Sequence, residues 1–347
     1  MKSIKTSCKL TAILLICIML TACGSRKASE EKVQKQVFAM DTVMLLTAYG
    51  DNAEAALEDA EQHIYAIEAD LDPESVTGSV YAMNAGAGLP VEVSPETYSV
   101  MSTALDYWER TDGALDPSLY PIIKLWGFTT GMYYVPSAAE LDALLPLHTG
   151  EITLGEENTV CLPYGTQVSL GAIGKGYTAQ SVIDLLREEG VESAILSLGG
   201  NVQTLGDTKP DGSPWQIAVT DPRDTGAYVG IITAGETAAV TSGGYQRYFE
   251  QDGVTYIHIL DPATGIPVDN DLLSVTVVTE DGTAADALST AMFVKGLEGA
   301  LAYYEEHGEA EGFELVLITE DDRVIVTPGL VSSFRESGEG YTYVYME

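Results

Sequence analysis

The chain has 347 residues, 46% of them hydrophobic and 20% charged, with 17 Lys and Arg against 52 Asp and Glu and a formal net charge of −35. Such a composition supports a buried core and excludes disorder as the main organisation. It also argues against nucleic acid as a partner, because a basic footprint is missing.

At the N-terminus, Lys2, Lys5 and Lys9 precede an apolar run that ends in Leu20-Thr21-Ala22-Cys23. A basic start, about 11 apolar residues where roughly 20 are needed to span a bilayer, and small residues before a cleavage point read as a secretory signal over residues 1–22. Leu-Thr-Ala-Cys resembles the bacterial lipobox, so Cys23 is expected to become the lipidated first residue, holding the protein at the extracytoplasmic face of the cell membrane. Cys8 and Cys17 leave with the signal, which isolates Cys161, and no intramolecular disulfide is expected. Cleavage removes three lysines and no acids, leaving 14 basic against 52 acidic residues and a net charge of −38. A field of that sign repels an anionic ligand unless a cation or local donors offset it, which favours a divalent metal at any phosphate site.

Residues 24–36 are polar and read as a tether, with the folded body expected over 37–347. Helices are predicted after Asp51, with an apolar face from Ala53 to Leu71, and from the cap Ser94-Pro95 to Gly113. Further helices follow the capping box Ser137-Ala138-Ala139-Glu140, run from Tyr177 to Glu189, from Thr283 to Lys295 up to Gly296, and from Leu297 to Glu306. Between them, β-branched and aromatic runs predict strands. Examples are Val37 to Tyr49 as one strand, Gln167 to Leu170, Ser193 to Leu198, Ala238 to Thr241, Thr255 to Leu260 and Leu273 to Thr279, with hairpins at Asp252-Gly253 and Asp321-Asp322. Strands in runs as well as in alternation with helices point to an α+β fold with mixed or antiparallel sheets and packed helices, not to a doubly wound parallel sheet.

Three segments suggest chemistry. Asp286 and Thr290 lie one helical turn apart, with Ser289 adjacent, and a carboxylate stacked on a hydroxyl suits a hard cation such as Mg²⁺. Alone, the same pair also serves a helix dipole and a back-bonded threonine. Leu170-Gly171-Ala172-Ile173-Gly174-Lys175-Gly176-Tyr177 is a glycine-rich turn into a helix whose amides, with Lys175, can receive a phosphate; its spacing is not that of a Walker A loop. Thr241-Ser242-Gly243-Gly244 offers two hydroxyls and freely oriented amides, and Arg247 offers a bidentate partner for an anion. His258 stands in an expected strand ahead of Asp261-Pro262, a place where a packing histidine is equally at home. No Cys/His cluster suggests zinc, and no Gly-x-Ser-x-Gly elbow suggests a serine hydrolase.

In order along the chain, Met40-Asp41-Thr42, Asn84, Thr111 to Pro117, Leu125 to Phe128, Leu170 to Tyr177, Leu198-Gly199-Gly200-Asn201, Thr241 to Arg247, His258 to Gly265 and Ala285 to Thr290 resemble the ApbE family of FAD:protein FMN transferases. The resemblance spans about Phe38 to Gly296. It implies an ApbE-like, T-fold-like architecture and transfer of the FMN half of FAD, through a phosphoester bond, onto a threonine or serine of an exported acceptor, releasing AMP. Carried over residue by residue, it makes the Ala172 carbonyl, Asp286 and Thr290 the Mg²⁺ ligands, with Mn²⁺ as the alternative ion. Met40, Ala114, Leu115, Asp116, Lys175 and Leu260 become FAD contacts, and His258 the catalytic residue. Thr241, Ser242, Gly243 and Arg247 complete the expected cofactor-binding set. Two positions depart from the family pattern: Ser169 where aspartate is common, and Glu74 where an aromatic flavin neighbour is expected.

The implied partners are FAD and an exported electron-transfer flavoprotein, with the membrane reached only through the lipid. Two rival readings are a metal-dependent FAD pyrophosphatase, in which water replaces the acceptor hydroxyl, and a non-catalytic solute-binding lipoprotein.

Overall fold

A computed structural model describes residues 31–86 and 88–347. The segments read as signal and lipobox, with Cys23, and most of the one read as tether lie outside the described residues.

The strand expected over Val37 to Tyr49 is two strands, β1 (Lys32–Ala39) and β2 (Thr42–Tyr49), paired antiparallel as a hairpin. Its turn residues Met40 and Asp41 both have left-handed backbones, φ 50° and 58°. Two-residue hairpins need that conformation, usually from Gly or Asn, so nothing in the composition marks this turn. β1 also starts at Lys32, inside the segment read as tether.

Helix α1 (Ala53–Leu71) buries Ala53, Ala56, Leu57, Ala60, Ile64, Ile67 and Leu71, the face predicted from its spacing. After α2 (Ser79–Ala85) and β3 (Val91–Glu92) comes α3 (Pro95–Arg110), capped by the Ser94 side chain on the Thr97 amide. Short α4 (Tyr120–Leu125) and α5 (Ala138–Asp142), the latter with its capping box formed, lead to β4 (Thr153–Leu154) and β5 (Thr159–Cys161). No strand forms over Gln167 to Leu170, which instead runs as extended loop into α6 (Gly174–Glu188).

The remainder is mostly strand: β6 (Ser193–Leu198), β7 (Asn201–Leu205), β8 (Trp215–Thr220), β9 (Tyr228–Ala234), β10 (Ala238–Gly243), β11 (Tyr248–Gln251), β12 (Val254–Ile257) and β13 (Leu272–Thr279). Helix α7 (Gly282–Glu311) is broken at Gly296, where φ is 70° and ψ −178°, and β14 (Glu314–Thr319), β15 (Arg323–Val326), β16 (Phe334–Glu336) and β17 (Thr342–Tyr345) complete the chain. His258 falls just past β12, outside the strand in which it was expected. Gly199 and Gly200, both at positive φ, form the β6–β7 hairpin turn.

Nine strands make one sheet in the order β1-β2-β6-β7-β10-β13-β14-β15-β17, antiparallel throughout except for the parallel pair β15–β17. The mixed α+β fold read from the sequence is therefore the observed one. One face of this sheet carries the helices: α1 and α6 pack on β1, β2 and β6, and the N-terminal half of α7 packs on β10 and β13. On the other face, a three-stranded sheet, β16-β9-β8, lies over β10, β13, β14 and β15 through Ile217, Val219, Val229 and Ile232. A smaller aromatic cluster of Trp126, Phe128, Phe249 and Leu260, with Leu119 and Ile122, closes over the helical side.

Candidate active site

Where α6 meets α7, no room exists for a side chain. A Cβ on Gly176 would stand 2.2 Å from the Gly282 carbonyl oxygen and 2.5 Å from the Asp286 Cβ. Gly176 is thus spent on helix contact and not on close approach to a ligand. The contact aligns the Gly176 amide with Asp286 Oδ2, which accepts its hydrogen bond at 2.8 Å.

Asp286 is 3% exposed and, among the described residues, pairs with no cation. A buried carboxylate with one amide donor is costly unless a positive charge arrives. One turn on, the Thr290 hydroxyl lies 3.3 Å from Ser242 Oγ, which also meets Ser289 Oγ at 2.9 Å; Ser289 in turn donates to the Asp286 carbonyl. The α7 face thus offers oxygen donors to a space that Ala172 also borders. No three His, Cys, Asp or Glu side chains gather among the described residues, so a cation here depends on hydroxyl and carbonyl oxygens beside the one carboxylate. Those hard donors and that uncompensated charge fit Mg²⁺.

The space is a cavity of about 530 Å³ between α1, the turn into α6, α7 and the aromatic cluster. It brings together Met40, Ala114, Leu115, Asp116, Ala172, Lys175, Thr241, Ser242, Arg247, His258, Leu260, Asp286 and Thr290. Of the site residues proposed from sequence and lying within the described residues, Gly243 alone is off this wall: the space beyond its Cα is filled by the Tyr245 ring and the Leu273 carbonyl. Thr241 needs a second correction. Successive residues of β10 face opposite sides, so the Thr241 hydroxyl bonds Thr276 Oγ1 at 2.8 Å on the far face while Ser242 faces α7. Only one of the two expected hydroxyls therefore serves the cavity.

The cavity wall is acidic like the rest of the chain, with Asp41, Glu68, Asp72, Glu74, Asp116 and Asp286 against the two cations Lys175 and Arg247. Lys175 has no carboxylate within ion-pair distance among the described residues, and Arg247 reaches only Asp41, at 3.6 Å, besides donating to the Phe128 carbonyl. His258 Nδ1 lies 3.1 Å from the Arg247 carbonyl oxygen, to which a neutral ring donates, leaving Nε2 as the free acceptor. Part of the ring surface is open to the cavity, yet protein atoms crowd it. Burial, then the Lys175 and Arg247 charges, push the imidazole down to about 4. His258 is accordingly neutral at physiological pH.

Several wall residues were not singled out as ligands from the sequence. Glu68 accepts the Met40 amide at 2.5 Å and so holds the left-handed hairpin tip at the cavity rim. Asn201, 2% exposed, opens β7 with its side-chain Nδ2 unpartnered on the cavity wall. Its place directly after two turn glycines was visible, but only the fold shows that the amide is left unpaired. Glu74, where an aromatic was expected, is held by the Tyr120 hydroxyl and by Lys124 Nζ at 2.9 Å; the Tyr120 bond, then Lys124, lower its pKa. Ser169 accepts the Gly171 amide at 3.2 Å and shapes the turn. Asp116 Oδ1 is occupied by Ser118 and by Thr149 Oγ1 at 2.5 Å, so it organises the loop that carries Ala114 and Leu115.

A family profile described as the ApbE family matches residues 40–313. The FAD:protein FMN transferase of Treponema pallidum is 32% identical over 356 residues, covering 95% of this chain and 97% of that protein. That of Klebsiella pneumoniae is 34% identical over 311 residues, covering 88% and 95%. Among solved structures, the ApbE protein of Thermotoga maritima superposes with a TM-score of 0.78 at 32% identity, covering 84% of this chain and 95% of that one. The apo flavinyl transferase ApbE of Pseudomonas stutzeri gives 0.74 at 28% identity, covering 84% and 92%. The chain therefore belongs to the ApbE family and is an enzyme of the flavin-transferase kind.

Proposed function

We propose that the protein moves FMN from FAD onto a Thr or Ser hydroxyl of an exported acceptor protein, releasing AMP, while anchored through lipidated Cys23 at the extracytoplasmic face of the membrane. The observation that carries this reading is the meeting, in one cavity, of Lys175, which has no ion-pair partner among the described residues, of Arg247 and of neutral His258 with the buried Asp286 carboxylate. A pyrophosphate needs cationic donors, and a hydroxyl nucleophile needs a base.

The Asp286 carboxylate, the Thr290 hydroxyl and the Ala172 carbonyl would hold Mg²⁺ or Mn²⁺, which when bound would supply charge neutralisation at the pyrophosphate. The side chains do the rest. Lys175 and Arg247 hold phosphate oxygens, and Ser242 adds a hydroxyl donor. The acceptor oxygen forms its bond to the flavin-side phosphorus as the bond from that phosphorus to the bridging oxygen breaks, the electron pair leaving with AMP. The hydroxyl proton passes to His258 Nε2.

Incubating the protein with FAD, Mg²⁺ and the exported protein fraction of its own cells, followed by mass spectrometry, tests the reading. An FMN-sized addition on a Ser or Thr supports it. Free FMN with no labelled protein replaces it by a pyrophosphatase, and FAD bound without turnover replaces it by a binding protein.

A further inference from the structure

On the opposite side of the nine-stranded sheet, a groove of about 630 Å³ runs between the edge of β8 and the sheet face. Its floor is made by Ile195, Ser197, Val202, Ala239 and Thr276, and its wall by Gln216 to Thr220, the whole length of β8 apart from Trp215. Thr241 and Gln246 line this groove and the substrate cavity alike, so they form a wall common to the two spaces.

β8 is the outermost strand of the three-stranded sheet and pairs only with β9. The register fixes which of its backbone groups are free. Thr233 donates its amide to Ser333 at 2.9 Å, so Thr233 and Ile231 turn toward β16 and Ile232 turns toward β8. Ile217, opposite Ile232, is bonded inward, and the N–H and C=O of Gln216 and Ala218 point out into the groove. Among the described residues nothing pairs with them. Beyond the groove the same sheet face stays uncovered over β1 and β2. There Phe38 pairs with Val43, and Leu45 with Ser197; the three apolar side chains are 67%, 53% and 45% exposed.

We infer that this groove docks the acceptor polypeptide as an extended strand, added to the free edge of β8 and resting its side chains on the Val43–Leu45–Ile195 face, so that its hydroxyl residue passes Thr241 and Gln246 into the cavity. The inference rests on the flavin-transfer reading. A free edge satisfies any extended backbone without regard to sequence, and the adjoining apolar face reads alternate side chains. Proximity supplies the rest: the segment must deliver an oxygen to the cavity, and this groove shares its wall.

The probe is the acceptor labelled in the experiment above, together with a synthetic peptide of the segment that bears its FMN. Proline is tolerated at an outward-facing edge position, so Ala218→Pro removes one docking donor while keeping the fold, and Val43→Lys with Leu45→Lys spoils the apolar face. Both variants are expected to raise KM for the acceptor about tenfold while FAD affinity and thermal melting stay as in the parent. Peptide binding should also slow hydrogen exchange at the Gln216 and Ala218 amides. Unchanged acceptor KM in both variants overturns the inference, as does a wild-type dimer that the lysine variant dissolves with transfer intact, since the face then joins two copies of this chain. If the parent enzyme labels no protein at all, the flavin-transfer reading falls first and docking with it.

Discussion

The amide of Gly176 donates to Asp286 Oδ2 at 2.8 Å, and this one bond ties the entry of α6 to the face of α7 that bears Thr290. Asp286→Asn keeps an acceptor for that amide but removes the charge. The variant is expected to fold with near-parent melting, to lose at least about a hundredfold in FMN transfer, and to bind Mn²⁺ measurably more weakly by electron paramagnetic titration. Parent-like Mn²⁺ binding counts against a cation at this carboxylate.

Gly176→Ala probes packing at the same contact. With a backbone oxygen 2.2 Å and a side-chain carbon 2.5 Å from the added methyl, the helices must separate. A loss of roughly 1–3 kcal/mol is expected, seen as a lower denaturation midpoint, and activity falls with it because Asp286 moves.

For His258 the pH dependence has a definite sign. The base works when neutral, and burial beside Lys175 lowers its pKa to about 4, so kcat/KM for the free enzyme should hold on acidification and drop only as pH falls through about 4. Lys175→Met removes one of the depressing charges and should move that limb toward the ordinary histidine value. His258→Gln should cost roughly a hundredfold to ten-thousandfold and abolish the limb. A limb unmoved by either change assigns the proton to another group.

Asn201 carries the remaining test. The residue lines the cavity and its Nδ2 is buried without a hydrogen-bond partner, and removing an unsatisfied buried group costs the fold little. Asn201→Ala is expected to leave melting within about 1 kcal/mol of the parent while weakening FAD binding about tenfold, read by flavin fluorescence. Unchanged affinity means the amide meets no part of the nucleotide.

What could be read along the chain were features whose cause is local. The α1 face, the Ser94 and Ser137 caps and the Gly296 break follow from periodicity, hydroxyl caps and a glycine, and each is where those signals place it. The Met40–Asp41 turn was hidden because two ordinary residues hold a glycine-like backbone, fixed by Glu68 from 28 residues away in sequence. The opposite facing of Thr241 and Ser242 was legible from strand alternation alone, had β10 been followed to its end. Asn201 and the open edge of β8 were not legible, since unpaired groups become visible only once every neighbour is in place.

The interruption at Gly296 also sets how faults spread. An uninterrupted helix of 30 residues would extend about 45 Å, and any twist imposed at its far end would rotate Asp286 and Thr290 away from their neighbours. With the axis broken midway, the C-terminal segment from Leu297 settles against its own surroundings, and changes there leave the angular phase of the oxygen-bearing turn untouched.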